Sequence, residues 1–281
     1  MNDLKMDWTK IDSIVVNALK EDIGSGDITT DAIFPSDATC EARIISKEEG
    51  VIAGISIAKR VFQKLDQSVS FSQNLCDGDR IKPGQEILRM KALVRAVLTA
   101  ERLALNILQR MSGIATATSQ YVDAVKGSQT KILDTRKTAP GLRILDKYAV
   151  LAGGGQNHRF GLFDAVLIKD NHINFAGSIT KAVEIVRSKY QDKYKIEVET
   201  STLDEVKEAL VVEADIIMLD NMDVPMMKEA VKIINGRALT EASGGITLNT
   251  IAGIAETGVD YISVGALTHS SPSLDISLYM V

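Results

Sequence analysis

Between positions 136 and 169 the chain carries Arg136, Lys137, Arg143, Lys147, Arg159 and Lys169, although its formal net charge is −5. Three of these cations lie in "DTRKTAPGLR" (134–143). A cluster of this kind is either a solvated loop or a pocket for a polyanion. Downstream, Glu199 and Asp220 each close an apolar run, and Gly-rich turns follow at Ser243-Gly244-Gly245 and around Gly265. Two carboxylates facing one pocket repel unless a cation lies between them. Mg²⁺ commonly takes one or two protein carboxylates together with substrate phosphates. Glycine turns let backbone N–H groups approach a phosphate at a helix N-terminus. The set points to a pocket for an anion bearing both phosphate and carboxylate groups, bound with Mg²⁺.

Such residues work together only if the fold brings them to one place. After residue 130 apolar runs alternate with helical spacing: "KILD", "FDAVLIK" ending at Lys169, "KIEVE" at Glu199, "ADIIML" before Asp220, "ALTEA" before Ser243, and "DYISV" before Gly265. The last four strand ends recur about every 21 to 22 residues, the length of compact βα units. Thr202 and Glu205 form a capping box, and Asp223 with Pro225 opens another helix. Apolar strands separated by amphipathic helices predict a parallel sheet with both faces covered. A complete eight-unit barrel typically needs about 250 residues. Only about 140 are available, so the expected fold is α/β, an open, incomplete barrel of about six strands. In barrels the reactive groups gather at the C-terminal ends of the strands, which is where these residues fall.

An α+β domain precedes the barrel. Residues 11–20 have helical spacing, "CEARIIS" and "SVSFSQ" read as strands, and 91–126 reads as one long helix. The expected boundaries are 1–115, 116–268 and a tail, 269–281, that returns to the first domain as a strand. Hydrophobic residues make up 45% and charged residues 25%, an ordinary globular composition. The acidic balance argues against nucleic acid as a partner, and no apolar run is long enough to span a bilayer. The N-terminus, "MNDLKMDWTKID", lacks a signal-peptide core. Cys40 and Cys76 are too few for a disulfide framework, and a reducing cytoplasm is the expected location.

Several residues have plainer readings. Lys147 reads as a solvated helical lysine. Glu197 shares a strand face with Glu199 and reads as a partner for Lys169 or an arginine. His158 reads as the cap of a turn after "GGGQN", and His172 and His269 as structural. None of the histidines has HExxH spacing, which argues against zinc. Arg102 lies in the apolar stretch "TAERLALN", where a cation wants an anionic partner.

The motifs together resemble quinolinate phosphoribosyltransferase, the decarboxylating nicotinate-nucleotide pyrophosphorylase. They are "EDIGSGDITT" (21–30), "ERLALNILQRMSGIAT" (101–116), "DTRKTAPGLR" (134–143), "KYAVLAGGGQNHRFGL" (147–162), "LIKDNH" (167–172), "EVE" (197–199), "IMLDNM" (217–222), "EASGGI" (241–246) and "ISVGALTHS" (262–270). The resemblance implies an N-terminal sandwich-like domain beside the open barrel. It implies transfer of a phosphoribosyl group from 5-phosphoribosyl 1-diphosphate to quinolinate, with loss of CO₂ and with Mg²⁺, in NAD biosynthesis. Lys169, Glu199 and Asp220 would be catalytic, the two carboxylates serving the metal. Arg102, Thr135, Arg136, Lys137, His158, Arg159, Lys169, Ser243, Gly244, Gly245, Val264, Gly265 and Ala266 would hold the substrates. A homodimer is implied, with Arg102 reaching the partner's site. The alternatives are a related pyrophosphorylase-like protein encoded with molybdate transport, a nicotinate phosphoribosyltransferase, a Schiff-base aldolase using Lys169, and a non-catalytic phosphoribosyl-binding regulator. The density of cations favours the dianion quinolinate over nicotinate.

Overall fold

The structure is a computed structural model that describes residues 6–281. The polar N-terminal stretch therefore begins outside the described residues. In chain order the elements are α1 (Trp8–Ile23), α2 (Ile28–Ile33), β1 (Thr39–Ser46), β2 (Gly50–Val51), α3 (Ile55–Leu65), β3 (Ser70–Ser72), β4 (Arg80–Ile81), β5 (Glu86–Leu93), α4 (Val94–Ala124), β6 (Lys131–Leu133), α5 (Arg143–Ala152), β7 (Val166–Ile168), α6 (Asp170–Ala176), α7 (Ile179–Tyr190), β8 (Ile196–Thr200), α8 (Leu203–Val211), β9 (Ile216–Asp220), α9 (Val224–Ile234), β10 (Leu239–Ser243), α10 (Ile251–Ala255), β11 (Tyr261–Ser263), α11 (Ala266–His269) and β12 (Ile276–Met280). They fall into two compact units. One comprises the chain up to Ser119, Thr138–Gly154 and Thr268–Val281; the other comprises Gln120–Lys137 and Gly155–Leu267.

The first unit is built on an antiparallel sheet in the order β12-β1-β5-β3, with β2 and β4 paired separately. The tail strand β12 lies against β1, with Ile44 opposite Leu278. The helix expected from residue 91 starts at Val94, because Ala92 and Leu93 pair with Cys40 and Thr39 as the end of β5. Strand hydrogen bonds take residues whose apolar spacing also suits a helix. One further reading is corrected here. Lys147 is helical, on α5, but buried rather than solvated. Nearby, Arg110 Nε and Nη2 donate to the two oxygens of Asp146 at 2.9 and 2.7 Å. Asp146 is fully buried and also accepts the Ala139 N–H at 3.1 Å. That contact draws residues 138–154 into this unit, although they lie between barrel strands in the sequence.

The second unit is the expected barrel. Its six parallel strands run in the spatial order β6-β11-β10-β9-β8-β7. That order is the chain order closed on itself and opened between β6 and β7. At the opening, the Gln156 N–H donates to Ile132 O at 2.8 Å and Gln156 O accepts the Asp134 N–H at 3.1 Å. The segment 155–158 therefore lies along the free edge of β6. The helix caps follow the sequence: Thr202 and Glu205 form a capping box, and Asp223 caps α9, which ends at a left-handed Asn235.

Gly113 marks the tightest approach in the first unit. A β-carbon there would overlap the carbonyl oxygen of Pro272, whereas one on Gly253 in α10 would meet nothing within 4 Å. Gly113→Ala is expected to cost about 1–3 kcal/mol by overpacking. Gly253→Ala is expected to gain about 0.5–1 kcal/mol, because glycine is the poorer helix former. Urea unfolding of both variants checks the contrast.

Candidate active site

Parallel pairing brings the strand ends of the barrel unit level with one another. Val264 donates its N–H to Leu133 O at 3.0 Å, joining the end of β11 to the end of β6. Asn221 donates its N–H to Ser243 O at 2.9 Å, and Ser243 lies beside Asp220, joining β10 to β9. Glu199 lies opposite Met218, and Ile168 opposite Val198, so Lys169 follows at the level of Glu199. Round the rim the order is Thr135-Arg136-Lys137, Val264-Gly265-Ala266, Ser243-Gly244-Gly245, Asp220, Glu199, Lys169.

Arg143 and Lys147 belong to the first unit, where Arg143 Nε donates to Thr138 Oγ1 at 3.0 Å. Arg102 also belongs there. It is exposed on α4 and lines a cavity of 280 Å³ with Asp22 and Asp27. It forms no ion pair among the described residues.

Opposite charges at the rim neutralise one another. Lys169 Nζ donates to Glu199 Oε2 at 2.9 Å; the lysine is 47% exposed and the glutamate 15%. Asp220 accepts from Asn221 Nδ2 at 2.6 Å. Glu199 and Asp220 share a cavity of 210 Å³ with Asp170, Thr200, Ser201 and Glu205. Its polar lining is all oxygen apart from one amide, which suits a hard divalent cation such as Mg²⁺. Glu205 is already engaged, accepting the Ser201 and Thr202 N–H groups.

The arginines are in a different state. Arg136 Nε and Arg159 Nε are both buried and have no hydrogen-bond acceptor. Burial first, and then the neighbouring Arg136, hold the Arg159 guanidinium below its ordinary pKa, while Glu197 and Asp164 oppose the shift. Arg159 Nη1 is tied to Ala165 O at 3.1 Å. Lys137 is exposed, and its N–H is turned onto Thr135 Oγ1 at 3.0 Å.

Val264 is buried, with its N–H donated to Leu133 O. Two sequence readings need correction. Gly244 and Gly245 both have positive φ, and a β-carbon at 244 would overlap Asn221 Oδ1. The helix after them starts only at Ile251, so any phosphate cradle there is loop rather than helix N-terminus. Glu197 pairs with neither Lys169 nor an arginine. Its Oε2 lies 3.0 Å from His158 Nε2, and Glu241 Oε2 lies 3.6 Å from the same nitrogen.

Sequence reasoning missed Glu241. A carboxylate inside the apolar strand "ALTEA" was the available signal. It is 1% exposed, and burial, followed by the nearby Glu197, pushes its pKa up to about 8. The tightest group of metal-type ligand atoms among the described residues is this one, His158, Glu197 and Glu241, all within 4.8 Å. His172 and His269 have local roles: His172 Nδ1 accepts the Lys169 N–H at 2.9 Å, and His269 Nδ1 lies 2.6 Å from Ser270 Oγ.

The raised pKa of Glu241 has a definite sign. Its folded value lies above the ordinary 4.5, so the native state binds the extra proton between about 4.5 and 8. The contribution is complete below about 4.5 and is lost as pH rises through about 8. Urea unfolding across this range is expected to show a flatter pH dependence for Glu241→Gln than for the parent.

Comparison with known proteins identifies the family and the fold. Residues 27–112 match the family described as quinolinate phosphoribosyl transferase, N-terminal domain, and 114–279 match its C-terminal domain. The chain is 50% identical over 285 residues to a rice protein named nicotinate-nucleotide pyrophosphorylase [carboxylating], chloroplastic, covering 94% of this chain and 76% of that one. It is 45% identical over 273 residues to a Bacillus subtilis protein named probable nicotinate-nucleotide pyrophosphorylase [carboxylating], covering 97% and 94%. The crystal structure of NadC from Streptococcus pyogenes superposes with a TM-score of 0.95 at 42% identity, covering 99% of each chain. With both domains matched along nearly its whole length, and with the charged rim that its motifs imply, this chain belongs to the quinolinate phosphoribosyl transferase family.

Proposed function

We propose that the protein transfers the phosphoribosyl group of 5-phosphoribosyl 1-diphosphate to quinolinate and releases CO₂, giving nicotinate mononucleotide and diphosphate. The observation that carries this reading is the pair of half-buried arginines, Arg136 and Arg159, whose buried Nε donors lack acceptors. A buried donor left unpaired costs about 1–3 kcal/mol, more when charged. Two such groups close enough to repel call for an anionic ligand with more than one negative group. Quinolinate is a dianion, and guanidinium holds carboxylate through paired hydrogen bonds. The curated relatives bear names for this reaction.

In the reaction the pyridine nitrogen bonds to the anomeric carbon as the bond to diphosphate breaks. The ring nitrogen becomes cationic. The ring then takes up the electron pair left by the departing CO₂, and a proton replaces it on carbon. No Schiff base is required. Arg136 and Arg159 orient the dianion so that its nitrogen faces the ribose. Lys169 leaves Glu199 for the anionic ligands. Thr135, Lys137, Ser243 and the Gly244–Gly245 loop meet the donor's phosphates, with Gly265 and Ala266 beside them. His158 lies close behind Arg159.

We infer that Glu199 and Asp220 hold Mg²⁺, which would neutralise charge on the diphosphate leaving group. We also infer a homodimer in which exposed Arg102 serves the partner's site. Its support is a cation on an apolar helix with no ion-pair partner of its own among the described residues. A cytoplasmic location accords with two free thiols, Cys40 and the exposed Cys76. Among the described residues, no helix is long and apolar enough to cross a membrane.

Release of labelled CO₂ from carboxyl-labelled quinolinate, dependent on the sugar donor, tests the reaction. Its absence under saturating substrates and Mg²⁺ contradicts it. Lys169→Ala should fold normally, since the lysine is half-exposed, and lose turnover by about 100-fold or more. Asp220→Asn should weaken Mg²⁺ dependence and donor binding more than quinolinate binding; equal losses count against the metal assignment. Arg102→Ala and Lys169→Ala should each be inactive alone, and verified mixed dimers should recover activity. Mixed dimers as inactive as their parents would show that Arg102 does not act across the dimer.

A further inference from the structure

The buried group of His158, Glu197 and Glu241 is not explained by substrate contacts. His158 is held at every polar point the geometry shows. Its backbone N–H donates to Asp134 Oδ1 at 2.9 Å, and Asp134 is fully buried. Its ring Nδ1 accepts the backbone N–H of Arg159 at 2.8 Å. A nitrogen accepting that bond carries a lone pair, so the ring proton is on Nε2. Nε2–H then donates to Glu197 at 3.0 Å, with Glu241 behind at 3.6 Å. The ring is nearly enclosed, with 11% of the side chain exposed.

This tautomer decides between two uses of the cluster. A metal on Nε2 would need the ring proton on Nδ1, where it would oppose the Arg159 N–H. The carboxylates therefore serve the ring rather than an ion. Glu241 Oε1 and Glu197 Oε1 are buried without partners, as expected of two carboxyls whose remaining oxygens are committed to the imidazole and to each other. Glu241, pushed up to about 8, is protonated at neutral pH and can donate to Glu197.

We infer that Glu197 and Glu241 are positioning residues for Arg159: acting through the His158 ring, they fix the backbone from which that guanidinium projects. The chain of contacts runs from β10 and β8 to the segment along the open edge of β6, so rigid strands aim a side chain carried on a loop. This inference rests on the reading that Arg159 holds the dianionic substrate. Misplacing a substrate-positioning group by about 1 Å can cost on the order of 100-fold.

The test compares Glu241→Leu with Glu241→Gln, which keeps the shape and hydrogen bonds of the neutral acid. The chain has three histidines, so ring ¹⁵N spectra can be assigned with a His158→Gln variant. Glu241→Gln is expected to keep the Nε2–H tautomer and the parent's quinolinate KM. Glu241→Leu is expected to lose that single tautomer and to raise quinolinate KM about tenfold or more, with kcat and the donor's KM changed far less. A Leu variant with parental tautomer and KM overturns the inference. So does one equivalent of tightly bound metal in the purified protein that both variants lose. Should quinolinate prove not to be a substrate, the parent itself shows no turnover, while the tautomer comparison still decides the positioning role.

Discussion

The site depends on one constraint: groups of opposite charge must share a rim without collapsing onto each other permanently. Lys169 and Glu199 satisfy it by pairing at 2.9 Å at the ends of adjacent strands. In a half-exposed setting such a pair contributes little to stability, on the order of 0–1 kcal/mol. It can therefore be exchanged for ligands cheaply. On the proposed reading Glu199 would hold a divalent cation, and the weak pair would leave Lys169 free to meet an anionic ligand.

The guanidinium groups obey the opposite logic. Arg136 and Arg159 are half-buried, close together, and keep buried Nε donors with no acceptor. Arg159 is tied at Nη1 to Ala165 O, and its backbone N–H to the His158 ring. On the proposed reading, binding a dianion would relieve repulsion and fill orphan donors at once. An acidic chain gains an anion site by local arrangement, whatever its net charge, and a local cationic well also raises encounter rates.

Much of this was legible in the sequence, for physical reasons. Apolar strands ended by Lys169, Glu199 and Asp220 announce both the parallel sheet and its functional rim, since strand ends are where polar groups emerge. Helix starts at Thr202 and Asp223 were fixed by local capping chemistry. What escaped was set by contacts between distant positions. Asp146 joins Arg110 across 36 residues, which draws α5 into the first unit and buries Lys147. Glu197 reads as a partner for Lys169 or an arginine, and Glu241 carries no role in the sequence. Only the return of residues 155–158 to the edge of β6 brings His158 to them.

A crystal structure with quinolinate, Mg²⁺ and an unreactive analogue of the sugar donor tests the central claim most directly. The account predicts that Lys169 Nζ leaves the Glu199 carboxylate and contacts an anionic ligand, while Arg136 and Arg159 both bind quinolinate carboxylates. A fully occupied site with the Lys169–Glu199 pair still at 2.9 Å would contradict it.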